Sequence, residues 1–314
     1  MAIDITIIGA DGTRLDVAGR NAGRQGIILA AGQVKGIHDA PITTEWASAA
    51  TEVGGRSKGT SYPVRDLTLG FHAFGDETYN GAPALGIEEL DAVLRKCFTS
   101  ELDPWDPTEK LARIFAKSKK DLRMLSVQMF DTVSFDPDFD PTLDDIDYTN
   151  PQYLLRAGQP MWEGRKRVTS WETSGTSGAG FIEISNPTDR PMEQTWVLTR
   201  GTWTISDTSW LGPKGKRKPD GEFKDRVLEL NPIDAVHGGA RINLDPMKLM
   251  AESWSGTNIL GEILDDQFFM HEIPPYTPPT LLPIKVTGAP AGVGARAELH
   301  QRRLWSRPWG LQWR

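Results

Sequence analysis

The sequence predicts a mainly β protein with two domains, a β-barrel or β-sandwich domain that carries one helix and a second β-sandwich. Tryptophan is concentrated in the second half, since nine of the eleven tryptophans follow residue 150. Several stand in stretches where apolar and polar residues alternate, the pattern that turns one face of a strand toward a core. The 31 glycines and 22 prolines fit turns between many short strands.

The clearest strands lie in the second half. Alternate residues of one stretch share a face: Met192, Gln194, Trp196 and Leu198. After a turn at Gly201, the same alternation continues with Trp203 and Ile205. Strands are predicted near residues 165–173, 180–185, 192–200, 202–208, 226–230, 282–288 and 295–305. The prolines of residues 274–279 predict a stiff extended connector.

The first half is predicted to contain strands and one clear helix. Strands are expected through most of residues 1–85 and at residues 122–130, with a loop at residues 51–60 that is rich in glycine, serine and charge. A helix is predicted at residues 87–100 because apolar residues fall on one of its sides: Ile87, Leu90, Val93, Leu94 and Phe98. A second, short helix is predicted at residues 107–116, with Thr108 as its cap.

Residues 134–151 are predicted to separate the two domains, because prolines interrupt any regular strand or helix there. The first domain is therefore predicted at residues 1–148 and the second at residues 149–314. The second domain would end in an arm rich in tryptophan. Trp305, Trp309 and Trp313 are the candidate interaction residues of this arm, which could dock on its own domain or on a neighbouring subunit.

Composition excludes several classes of function. The net charge of -7 argues against a surface built mainly to hold nucleic acid. Cys97 is the single cysteine, so an intrachain disulfide and a cysteine-ligated zinc or iron–sulfur site are excluded, and its helical context predicts a buried thiol. The first residues lack the pattern of a signal peptide, and no apolar run is long enough to span a bilayer. The protein is expected to fold in a cytosol.

The acidic stretch before residue 148 is the one candidate metal site. Its carboxylates have the spacing of a calcium-binding loop: Asp136, Asp138, Asp140, Asp144 and Asp147. Pro141 occupies the position that normally requires glycine, and the last ligand is Asp rather than Glu. The alternative interpretation is a solvated linker.

The sequence predicts no catalytic residue and no cofactor. Gly55-Arg-Ser57-Lys-Gly59 matches the spacing of a nucleophile elbow but lacks the strand and helix that this motif needs on either side. The five histidines form no pair with metal-ligand spacing. Paired carboxylates for glycoside hydrolysis carry no local signature, so a cell-wall hydrolase is kept only as an alternative.

Three segments carry a resemblance to a known family: Arg302-Arg-Leu-Trp-Ser-Arg-Pro-Trp-Gly310, Ile184-Ser-Asn-Pro-Thr-Asp189 and Ile242-Asn-Leu-Asp245. With the two-domain order, they resemble the distal tail (Dit) proteins of siphophages, especially the minor tail proteins of phages that infect actinobacteria. The resemblance implies a galectin-like jelly-roll as the second domain. It also implies a first domain that forms a hexameric ring in the virion, between the tail tube protein and the tail-tip hub protein.

The resemblance also sets the expected partners. These are further copies of the chain, the tail tube, the hub, the tape measure protein and a host surface glycan, with no sequence-specific nucleic acid. The leading prediction is a structural tail-tip protein that is made in the host cytoplasm. The alternative is a carbohydrate-binding module that recognises the host cell surface, which predicts exposed tryptophans on one face of the second sandwich.

Overall fold

A computed structural model of the chain describes residues 3–51, 53–75, 85–136, 139–143, 147–245, 248–263 and 267–313. The chain forms two compact units. The first contains Met1–Gly164 together with Ser306–Gly310, and the second contains Arg165–Trp305 together with Leu311–Arg314. The described helices are too short to span a membrane.

The first unit is built on one curled antiparallel sheet. Its elements are β1 (Asp4–Ile8), β2 (Arg14–Ala18), β3 (Ile27–Lys35), β4 (Thr43–Ala47), β5 (Arg56–Ser61), β6 (Arg65–Phe74), α1 (Ile87–Cys97), β7 (Ala112–Lys117), β8 (Leu122–Met129), β9 (Tyr148–Thr149), β10 (Gln152–Ala157) and β11 (Trp162–Glu163). Seven strands follow the order β2-β1-β7-β8-β10-β6-β3, and the sheet curls into a half-barrel. β4 and β5 form a separate hairpin.

Helix α1 forms because its apolar residues recur at helical spacing. Its side chains Ile87, Leu90, Leu94 and Cys97 are buried, and α1 packs against β6 and β9. Acidic residues occupy its first turn and basic residues its last turn, as the helix dipole favours. The helix ends at Cys97 because Phe98 has extended backbone angles. The predicted helix is therefore confirmed, three residues shorter at its C-terminal end.

The predicted burial of Cys97 is confirmed, and it leads to a test. Burial raises the pKa of the Cys97 thiol to about 12, and the charge of Asp11 adds to the shift. Alkylation requires the thiolate. We therefore expect iodoacetamide at pH 8 to leave the folded protein unmodified and to modify the chain once in urea, as counted by mass spectrometry. Rapid modification of the folded chain would contradict the buried position.

Two predictions for the first unit are wrong. The segment predicted as a helix at residues 107–116 contains β7 instead, where Ala112, Ile114 and Ala116 alternate into the core. Alternation of apolar residues with a period of two favours a strand there, and it outweighs the capping preference of Thr108. The backbone N–H of Thr108 donates to Asp106 at 2.9 Å in a local turn instead. The loop predicted at residues 51–60 contains most of β5, which pairs with β4.

The second unit is a β-sandwich, as predicted, and it also carries a small separate hairpin. Its elements are β12 (Arg167–Thr173), β13 (Gly178–Asn186), β14 (Gln194–Thr199), β15 (Thr202–Ser206), β16 (Trp210–Leu211), β17 (Lys218–Pro219), β18 (Val227–Glu229), β19 (Gly239–Asn243), β20 (Ala251–Ser253), α2 (Leu260–Ile263), β21 (Thr277–Thr287), β22 (Ala295–Gln301) and β23 (Leu304–Trp305). One sheet has the order β12-β22-β14-β19-β20, and the other has the order β13-β21-β15-β18.

The core of the second unit lies between these sheets. The face predicted from alternation is fully internal: Met192, Gln194, Trp196 and Leu198 are buried. Trp203 and Ile205 of β15 are buried in the same apolar cluster. Strands of the two sheets thus contribute alternate residues to one core, which is how an aligned sandwich is stabilised.

The segment predicted as a proline connector is partly strand. Pro278 and Pro279 belong to β21, which is paired with β13 on one side and with β15 on the other. The pairing with β15 covers only the other end of β21, and the register with β13 shifts near Asn186. A proline without an N–H is tolerated at such an incompletely paired strand end.

The predicted domain boundary at residues 148 and 149 falls inside the first unit. β9 and β10 pair with β6, and β10 also pairs with β8. The acidic, proline-containing stretch therefore connects two strands of the same unit. Pro141 lies in a turn, as expected for a residue that interrupts regular structure, but a break of this kind marks a loop as readily as a linker.

Candidate functional site

The β4–β5 hairpin is the most exposed element of the first unit. No described residue from 41 to 64 is buried, and within this range Trp46 is 65% exposed. The hairpin is held by its own ladder, in which Thr43 pairs with Ser61 and Ala47 pairs with Arg56. Because it adds nothing to the core of its unit, the hairpin exposes both of its faces to solvent.

Sequence reasoning missed this hairpin, although a signal was present. Thr43, Thr44 and Trp46 favour strands, and the glycines at 54 and 55 supply a turn. No apolar alternation accompanies them, because the hairpin does not face the core. Apolar alternation identifies only strands that have one buried face, so it does not identify this hairpin.

The three predicted interaction tryptophans lie in different surroundings, and the structure does not bring them together within one unit. Trp305 belongs to the second unit and is buried. Trp309 belongs to the first unit, where it meets the ring of His38 edge-on with centroids 5.0 Å apart. Trp313 belongs to the second unit, is 54% exposed and lies 5.4 Å from the ring of Tyr276.

The segment Ser306–Gly310, called the docking segment below, completes the first unit. Arg65 is buried at the start of β6 and donates to the carbonyl oxygens of Ile37 at 3.1 Å and Ser306 at 2.9 Å. Burial lowers the pKa of Arg65 to about 10, while the nearby Asp39 acts in the opposite direction. The carbonyl groups offer neutral acceptors to this buried charge.

A second buried arginine holds the other end of the docking segment. Arg123 is 1% exposed, and its guanidinium donates to the carbonyl oxygens of Arg307 and Gly310, each at 2.7 Å. Asp121 accepts a third bond from it at 3.2 Å. Two buried arginines of the sheet thus bind backbone carbonyl groups of the docking segment and not its side chains.

The candidate calcium ligands are only partly described. Asp138 and Asp144 lie outside the described residues. The other three are Asp136, Asp140 and Asp147. Asp140 accepts bonds from the hydroxyl and backbone N–H of Thr142, at 2.7 and 2.9 Å, and these bonds lower its pKa. Among the described residues, no group of three or more histidine, cysteine or acidic side chains could hold a metal. The calcium site stays a prediction.

Among the described residues, one carboxyl group has the raised pKa that acid–base catalysis would use. Burial raises the pKa of Glu193, and the charges of Asp245 and Glu272 act in the same direction. Glycoside hydrolysis also needs a second carboxyl group across a substrate cleft. Glu193 does not line the cavities of about 800 and 770 Å³ in the first and second units. The cavity of the first unit is lined by other carboxyl groups, those of Asp11, Asp103, Asp106 and Glu109, so hydrolysis stays an alternative.

Solved structures provide the comparison for this geometry. The phage SPP1 Dit protein, a paradigm of the hub adsorption apparatus in phages that infect Gram-positive hosts, matches with a TM-score of 0.55 at 12% identity. The match covers 96% of this chain and 99% of that one. This chain has the Dit fold. The resemblance inferred from the sequence is therefore confirmed at the level of the fold.

Other comparisons add no further argument about the Dit fold. Two structures of the phage P2 baseplate in its activated conformation, with Ca and with Sr, each match with a TM-score of 0.47 at 9% identity. Each match covers 96% of this chain and 98% of the other chain. No protein-family model and no curated protein matches the sequence. Surfaces of this Dit fold must therefore be interpreted from its own residues.

Proposed function

We propose that this chain is a structural protein of a phage tail tip. It is made in the host cytoplasm and forms a homohexameric ring that joins the tail tube to the tail-tip hub. The first unit supplies the ring contacts, and the second, a galectin-like sandwich, faces outward. The Dit fold across nearly the whole chain supports a tail-tip role. The exposed β4–β5 hairpin is the observation that favours assembly with further copies.

A hairpin that packs against no core has little stability of its own. Two isolated antiparallel strands are marginally stable in water, and they need a third strand or a packed face to persist. The hairpin buries no described residue of its own unit, and its Trp46 indole remains largely in water. A neighbouring copy that covers this face would supply the missing packing.

Cyclic assembly also suits an exposed hairpin of this kind. The edge strands of the curled sheet, β2 and β3, contact each other within the unit, so the ring contact is assigned to the hairpin. In a closed ring each copy offers the same hairpin to the next, so every contact is satisfied and growth stops. The proposed outer partners are the tail tube protein, the hub protein and the tape measure protein.

Light scattering on the purified chain, with electron images of the same peak, tests the ring. The expected particle has six-fold symmetry and six times the chain mass of 34.7 kDa. In Trp46→Ser, a polar side chain replaces the exposed indole of the hairpin, so the expected mass falls toward that of a single chain.

Trp105→Ser is the matched control, because Trp105 is 88% exposed on another loop of the same unit. This variant is expected to keep the six-fold particle. A wild-type chain that stays monomeric at high concentration, alone and when produced with the tube protein, would contradict the ring. A ring that survives Trp46→Ser would remove the hairpin from its interface.

A further inference from the structure

A groove of about 770 Å³ lies at one end of the β12-β22-β14-β19-β20 sheet of the second unit. Five strand ends meet there, and the lining comes from the loops beside them. The residues used below are Glu172, Arg200, Trp254, Pro290, Val293 and Arg296. Its volume is within the range of small-molecule sites, about 300–1,000 Å³.

Trp254 lines this groove. Its backbone N–H donates to the carbonyl oxygen of Gly239 at 3.2 Å, directly after β20. The indole lies flat against Gly239, where a Cβ atom would overlap the ring atoms. Glycine therefore supports one face of the ring, and the residue as a whole is still 58% exposed. The structure holds a large apolar ring in a fixed place without covering it.

Other tryptophans of this unit are used differently. Trp196 and Trp203 are buried in the core, and Trp171 meets Trp203 edge-on. Trp313 is exposed but lies against Tyr276. Trp254 makes no ring contact with another aromatic side chain of the described residues. An exposed, supported and unstacked indole is a platform for a flat apolar surface.

Polar groups of both kinds surround the platform. Arg200 has no hydrogen-bond or ion-pair partner among the described residues, so its N–H groups remain available. Arg296 bonds to Glu298 at 2.9 Å and Glu172 at 3.4 Å, which neutralises most of its charge. The Glu172 carboxylate is 72% exposed and can accept further bonds. The groove thus offers donors and acceptors without a strong net charge.

The wall of the groove is fixed before any ligand arrives. The loop that carries Pro290 and Val293 closes on itself, since Gly294 N–H donates to the Pro290 carbonyl oxygen at 3.0 Å. The Thr199 hydroxyl accepts from the backbone N–H of Arg296 at 2.8 Å and so ties β14 to β22 beside the groove. A site that is already ordered loses less conformational entropy on binding.

We propose that this groove binds a saccharide, with an apolar sugar face on the Trp254 indole and hydroxyl groups bonded to Arg200 and Glu172. A sugar hydroxyl both donates and accepts, which matches the mixed lining. A phosphate would instead favour a cluster of unpaired cations. The site belongs to the second unit alone and extends the function beyond a structural ring, so it can be tested whether or not the ring forms.

Titration of the full chain with defined oligosaccharides tests the site. The probes are β-1,4-galactotriose, maltotriose and trigalacturonic acid at millimolar concentration, followed by calorimetry and by tryptophan fluorescence. At least one is expected to bind. Trp254→Ala is expected to weaken that binding at least ten-fold, and Arg200→Ala several-fold, with circular dichroism showing that both variants are folded.

Trp313→Ala is the matched control, since it removes an equally exposed indole from the same unit, and it is expected to bind as the wild type does. Absence of binding for all three probes would overturn the proposal. Equal binding by the wild type and folded Trp254→Ala would also overturn it, as would equal losses in Trp254→Ala and Trp313→Ala.

Discussion

Replacing Trp203 with alanine is expected to lower the free energy of unfolding of the second unit by about 3–5 kcal/mol. The indole is fully buried between the sheets and touches Trp171 edge-on, with centroids 6.0 Å apart. Its Nε1–H donates to the Thr199 carbonyl oxygen at 2.8 Å. Alanine would leave a cavity and remove that donor. Urea unfolding followed by circular dichroism measures the change.

Trp254→Ala is the matched control in this experiment, because it removes an exposed indole from the same unit. We expect its unfolding midpoint to lie near that of the wild type. If both substitutions destabilise the protein equally, burial does not distinguish the two tryptophans. If Trp203→Ala has little effect, the described core between the sheets is wrong.

Arg123→Met is expected to destabilise the first unit by about 3–5 kcal/mol. Two bonds from a charged donor, each worth roughly 1.5–3 kcal/mol, are lost at once, and two carbonyl groups of the docking segment lose their donor. Methionine has a similar length, so the change tests the bonds more than the packing. Hydrogen exchange is expected to show faster exchange in residues 306–310 and in β8, where Arg123 lies.

Arg156→Met provides the comparison for a surface arginine. Arg156 forms a bidentate pair with Asp66, at 2.6 and 2.9 Å, but both side chains are about half exposed. Water and salt screen such a pair, so its unfolding midpoint is expected to remain close to the wild-type value. Unchanged exchange of residues 306–310 in Arg123→Met would show that the guanidinium does not hold the docking segment.

The spacing of apolar residues along the sequence predicted those strands and helices that have one buried side. The alternation from Met192 to Leu198, and the spacing of Ile87, Leu90 and Leu94, identify a strand and a helix because each has one buried side. The β4–β5 hairpin has no buried side, so periodicity could not reveal it. At residues 107–116 the signal of a single turn was mistaken for the start of a helix.

The sequence predicted the surroundings of the candidate tryptophans less well than it predicted the core. Trp305, Trp309 and Trp313 are close in sequence, yet they have different surroundings, because the chain enters the first unit at Ser306 and leaves it after Gly310. The bond from Arg65 to Ser306 joins residues 241 positions apart. A single sequence carries no signal for such a contact. Trp254 stood out only once its exposure and its glycine support were known.

The docking segment has a consequence for synthesis on the ribosome. Arg307 is made 184 residues after Arg123, an interval of about 10–40 s at roughly 5–20 residues per second. During that time Arg65 and Arg123 of the nascent first unit lack the acceptors that the docking segment later supplies. The second unit, apart from its last few residues, is made within this interval. The first unit thus completes its fold after most of the second unit has been made, against the usual order in which the N-terminal domain folds first. A nascent-chain chaperone has this whole interval in which to bind the first half of the chain.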